Sequence, residues 1–130
     1  MDAAGALADL TEISSQVEAA VVFDDDGTVL ASTLADGAPS ERLVRAALDL
    51  LGAAREQTGG GRSLTQLEAA LHEGSVFVAR DRDRSIVATA SAVPASGLVF
   101  YDLRTCLRAL AEPPAKPKPK RRSTKARTDA

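Results

Sequence analysis

A few residue groups in this sequence have the types and spacing that chemistry uses. Asp24-Asp25-Asp26-Gly27 resembles part of a calcium loop. Aligning Gly27 with the loop glycine, however, puts Val22 at the first ligand position and Thr33 at the bidentate acid, so two essential ligands are missing and a hairpin turn is the better reading. Gly59-Gly60-Gly61-Arg62-Ser63 is glycine-rich like a phosphate loop. It lacks both the Gly-Lys-Ser/Thr ending and a preceding strand, which leaves a flexible connector. His72 is the sole histidine and has no partner for a metal site or an acid/base pair; it is read as a solvent-facing strand residue. Cys106, the sole cysteine, sits on an apolar helical stripe with no histidine nearby in sequence to activate it, and is read as a small core residue. Arg55, Arg62, Arg80, Arg82 and Arg84 fall at loops or helix ends, where a guanidinium could stabilise phosphoryl-transfer charge. The better reading is a set of surface residues. No catalytic residue, metal ligand, cofactor or small-molecule substrate is assigned.

The elements that would position such groups fit one domain. The chain has 130 residues, 45% of them hydrophobic, enough for one ordinary core. No apolar run approaches the roughly 18 residues of a membrane-spanning helix, and the first residues lack the pattern of a signal peptide, so a cytoplasmic location is expected. A single cysteine agrees with a reducing compartment. The net charge of −2 divides unevenly: residues 1–112 hold 9 Arg and no Lys against 17 Asp or Glu, whereas residues 113–130 hold 7 Lys or Arg against Asp129 alone. The body is thus −8 and the tail +6. An acidic body argues against a nucleic-acid-binding fold, which needs a basic face on the ordered domain. The Pro/Lys/Arg-rich stretch 113–130 has too few apolar side chains to offset its ordering entropy, so it is predicted to be a disordered tail. Its Lys116, Lys118, Lys120, Arg121 and Arg122 are candidates for contact with an anionic surface.

Within residues 1–112, apolar steps of three and four residues at Leu7, Leu10 and Ile13 predict a helix over 6–16. The run from Glu18 to Phe23, the Asp-Gly turn and the segment 28–33 predict a hairpin. Pro39-Ser40-Glu41 signals a helix start with Ser40 as the cap, running to about Gln57. Alternation of Leu67, Ala69 and Leu71 with polar residues predicts a strand within 65–72, followed by strands around Val76–Val78 and Ile86–Thr89. After Ser96-Gly97, a last helix shows Val99, Leu103, Cys106, Leu107 and Leu110 on one face. The order is αββαβββα, an α/β chain of the α+β kind.

The second helix carries the strongest hint of a partner. At about 100° per residue, its apolar arc extends from Val44, Leu48 and Leu51 through Leu43, Ala47, Leu50 and Ala54 to Ala46 and Ala53, close to 200° wide. One sheet face covers little more than about 100° of a helix, so the surplus calls for a second surface. Ala46 and Ala53, seven residues apart, would let a second helix approach closely.

The stretch LADLTEISSQVEAAVVFDDDGTVLAST over 7–33, the long second helix, LTQLEAALHEG, FVARDRDRSIVATA and GLVFYDLRTCLRAL together resemble the roadblock/dynein light chain family, particularly its bacterial members. The resemblance spans nearly all of residues 6–110 and lies in the order of elements rather than in any one residue. It implies a roadblock-type sandwich, a five-stranded antiparallel sheet with helices on both faces. It further implies homodimers formed through the second helix and third strand, here Leu43, Ala46, Ala47, Leu50, Ala53, Ala54, Leu67 and Ala69. Family members bind small Ras-like GTPases, as activators of GTP hydrolysis or as scaffolds, and some bacterial ones occur beside sensor-kinase-like proteins. The expected function is a non-enzymatic regulator or adaptor of such a GTPase. The alternatives are a scaffold in a sensor-kinase or motility complex and a tail-driven tether to nucleic acid or membrane.

Overall fold

The computed structural model of the protein describes residues 2–34, 37–57, 66–91 and 94–111. Three helices and five strands follow one another as α1 (Ala3–Ile13), β1 (Val17–Asp24), β2 (Val29–Ser32), α2 (Ala38–Gln57), β3 (Gln66–Ala70), β4 (Ser75–Asp81), β5 (Arg84–Ala90) and α3 (Ser96–Ala111). This is the expected order αββαβββα. The strands form one antiparallel sheet in the order β2-β1-β5-β4-β3, with β2 and β3 at its edges.

The sheet is apolar on both faces, which explains why its inner strands read as apolar runs rather than alternating ones. Ala20, Val22, Phe77, Ala79, Ile86 and Ala88 point to one side and pack against α1 and α3. Val21, Phe23, Val78 and Val87 point to the other and meet Val44, Ala47 and Leu51 of α2. Each inner strand therefore feeds two cores.

Several boundaries differ from the sequence reading, each for a local reason. The first helix starts and ends three residues earlier than predicted, because the Asp2 carboxylate caps it by accepting from the Gly5 amide at 2.8 Å. Ser14 Oγ then accepts from the amides of Gln16 and Val17, turning the chain so that Val17 opens β1. Ser40 is not a cap. The second helix begins at Ala38, after Gly37 at φ +93°, and Ser40 is buried inside it with its hydroxyl 2.7 Å from that of Ser32. Pro39 is tolerated because first-turn amides have no helical acceptor.

Asp24-Asp25-Asp26-Gly27 is a hairpin turn. The Asp24 carboxylate accepts from the amides of Asp26 and Thr28 at 2.9 and 3.0 Å, and Gly27 takes φ +85° beneath the side chains of Leu48 and Val44. His72 is exposed but lies in the β3–β4 turn rather than in a strand, since β3 ends at Ala70 and Leu71 N–H already donates to the Gly74 carbonyl at 2.7 Å. That turn is tight: a Cβ on Gly74 would stand 2.8 Å from the Ala90 carbonyl oxygen. Gly74→Ala is therefore expected to destabilise the protein by about 1–3 kcal/mol through forced backbone displacement, seen as a lower denaturation midpoint. An unchanged midpoint would show that the turn yields freely.

Candidate docking face

The second helix buries only a narrow stripe of its apolar arc in its own protomer. Ser40, Val44, Ala47 and Leu51 are buried; Leu43, Leu50 and Ala54 are half-buried; Ala46 and Ala53 are exposed. Ala47 is thus wholly occupied by the protomer's own core, and of the eight seam candidates it alone presents nothing outward. The others form a continuous flank, since 54, 43, 50, 46 and 53 succeed one another around the helix at about 100° per residue.

α2 rests mainly on β1, β2 and β5. On the same face of the sheet, Leu67 and Ala69 of β3 stand in register with Val78 and Val76 of β4, and Leu67, Ala69 and Val76 remain half-buried. β3 pairs on one side only among the described strands. An apolar helix flank and an unpaired strand edge therefore lie on one side of the molecule, the chemistry of an interface that adds both side-chain burial and backbone hydrogen bonds. On the opposite face β3 is tied to α3: Ser96 Oγ donates to Glu68 at 2.8 Å and Arg104 donates to Gln66.

Two of the candidate arginines brace the fold. Arg80 pairs with Asp25 at 2.8 Å, bracing the β1–β2 turn, and the Arg84 guanidinium donates to the Leu110 carbonyl at 3.2 Å at the end of α3. Arg82 is exposed in the β4–β5 turn at φ +63°, and Arg55 is exposed in the last turn of α2. Arg62 and the glycine-rich segment lie outside the described residues, as do Lys116, Lys118, Lys120, Arg121 and Arg122. Among the described residues no group of His, Cys, Asp or Glu could hold a metal ion, and no helix is long and apolar enough to cross a membrane.

Cys106 is buried between α1 and α3, as the sequence reading expects of a core thiol. Burial, and secondarily the Asp9 carboxylate, push its pKa from 9.0 up to about 11. The fold thus holds the neutral thiol. Relative to Cys106→Ala, stability should be unaffected below pH 9.0 and should fall between there and about pH 11, where only the unfolded thiol has ionised. Denaturation midpoints of the two proteins that stay parallel across this range would contradict the assignment.

Sequence reasoning missed one feature: a groove of about 260 Å³ between α1 and α3, on the far side of the sheet from the docking face. Exposed Ile13 and Tyr101 flank it, but residue type alone does not show that two separate helices bring them together.

The comparisons with known proteins agree with this architecture. Residues 4–91 match the model of the Roadblock/LC7 domain. A Roadblock/LC7 domain from Streptomyces avermitilis superimposes with a TM-score of 0.74 at 16% identity, over 85% of this chain and 96% of that one. The gliding protein MglB from Thermus thermophilus gives 0.68 at 16% identity, over 84% and 85%. An MglB with a tetrameric arrangement gives 0.68 at 17% identity, over 84% and 85%. No curated protein matches. With its element order, sheet topology and most of its length accounted for, the chain belongs to the Roadblock/LC7 domain family.

Proposed function

We propose that the chain is a non-enzymatic homodimer that binds a small Ras-like GTPase and regulates it, acting on the GTPase's own residues rather than supplying a catalytic group. The observation carrying this reading is the surplus apolar flank of α2 beside the open edge of β3, on a Roadblock/LC7 domain. Two copies joined there would bury Leu43, Leu50, Ala54, Leu67 and Ala69 together and satisfy the strand edge. A relative with a tetrameric arrangement supports self-association of the fold. Family resemblance supports a small GTPase as the partner and the cytoplasm as the location, and Roadblock/LC7 proteins are generally non-catalytic regulators.

Light scattering of the protein alone and mixed with a candidate GTPase in its GTP-bound form tests the proposal. A dimer that gains the GTPase mass and alters its hydrolysis or nucleotide exchange supports it. A monomer removes the seam. Arg82→Ala should retain full effect on the GTPase; a loss approaching roughly 10³-fold would instead identify an arginine finger.

The likeness to a gliding protein favours a second reading, a scaffold in a motility or sensor-kinase complex. It is distinguished by affinity for another protein with no change in hydrolysis or exchange.

A further inference from the structure

We propose that the groove between α1 and α3 receives the Pro- and Lys-rich segment Lys116–Arg122 of the same chain. The groove is lined mostly by apolar groups, among them Leu10 and Ile13 of α1 and Tyr101 and Cys106 of α3, and among the described residues its only charged lining residues are Asp9 and Asp102. Ile13 is 68% and Tyr101 59% exposed, so two large apolar side chains border it in water.

Asp102, with Asp9, gives the groove its charge. It is 7% exposed, the only charged residue among the buried ones described, and it lines the groove. Among the described residues no hydrogen-bond donor or cation reaches its carboxylate. A carboxylate set in an apolar wall is complemented by a cation carried on a stem that can cross that wall. A lysine side chain has this form, with an aliphatic body and a charged end. The exposed tyrosine adds a second preference, since aromatic-lined grooves take prolines in the extended polyproline conformation.

Lys116-Pro117-Lys118-Pro119-Lys120-Arg121-Arg122 combines both properties. Residues 1–112 hold no lysine, and among their nine arginines Arg80 and Arg84 are already engaged. The tail also starts in the right place. Asp102 precedes Ala111, the last residue of α3, by nine helical residues, about 14 Å of axis. The seven residues 112–118 span about 22 Å in polyproline conformation, enough to turn back along α3 and bring Lys118 to Asp102. Opposite net charges of −8 and +6 favour the docked state, and tethering raises the local concentration of the segment to about the millimolar range.

The test compares amide NMR spectra of two full-length chains, the wild type and one with Lys116, Lys118, Lys120, Arg121 and Arg122 all changed to Gln. None of the described core residues is changed, so the variant keeps the fold. Docking predicts shift differences at Asp9, Ile13, Tyr101, Asp102 and Thr105 with the α2 face unchanged, and high salt should move the wild-type signals toward the variant's. Identical groove signals in the two chains would overturn the proposal. Full-length Asp102→Asn should in addition lower the heteronuclear NOE of residues 118–122; unchanged values would mean that Asp102 is not the anchor. Labelled five-fold Gln chain mixed with excess unlabelled wild type decides the source. Groove signals that stay put support docking within one chain, whereas a return to wild-type positions would assign the groove to the tail of a second copy and overturn it.

Discussion

Phe77→Ala is expected to lower the unfolding free energy by about 3–5 kcal/mol, a large share of the roughly 5–15 kcal/mol of a small domain. Phe77 is fully buried on β4, between Glu68 of β3 and Ala88 of β5, and its ring meets Phe100 of α3 edge-on at 5.1 Å with an interplanar angle of 78°. Its sheet-face neighbours in this core include Ala20, Ala79, Ala88 and Ala90. Alanines cannot swing into a vacated space, so truncation leaves a cavity rather than a collapse, and the loss should fall at the upper end of the range. Ile13→Ala, at an exposed site, should by contrast change stability by less than about 0.5 kcal/mol. Urea denaturation of both variants checks this. A loss below about 1.5 kcal/mol for Phe77→Ala would mean that the layers of the sandwich can close up.

Leu50→Glu should convert the proposed dimer to a monomer while leaving the fold intact. Leu50 is half-buried on the α2 flank and so contributes less than Val44 or Leu51 to its own protomer. In a two-fold interface each substitution occurs twice, and two glutamates would be brought into an apolar seam without a cation. A loss of about 2–4 kcal/mol, roughly 30- to 1,000-fold in dissociation constant, is the expected scale. Arg45→Glu, on the exposed polar side of the same helix, should leave the solution mass unchanged. A Leu50→Glu protein that still scatters as a dimer, with a native circular dichroism spectrum, would place the seam elsewhere.

The order of elements was legible because each has a periodic or continuous apolar signature: the buried positions of α3 fall where helical spacing puts them, and β1, β4 and β5 read as strands through their apolar runs. Ends were less legible. Asp2 and Ser14 hold the limits of α1 by single side-chain hydrogen bonds, and Ser40 resembles a cap until its hydroxyl is seen to face Ser32 inside the fold. The candidate seam was legible as excess apolar arc, but helical periodicity cannot say which part of that arc the sheet covers, and Ala47 proved to be core. The α1–α3 groove was not legible at all. Asp102 looks like any helical carboxylate in sequence, and its place in the groove depends on how the fold sets α3 against α1.

The position of the sheet between two helical layers has a further consequence. Its inner strands form a septum, with α2 on one side and α1 with α3 on the other. The proposed seam on the α2 side and the groove on the far side therefore share no side chain. On the two proposals made above, the molecule would be a two-port connector whose self-association and tail docking add rather than compete.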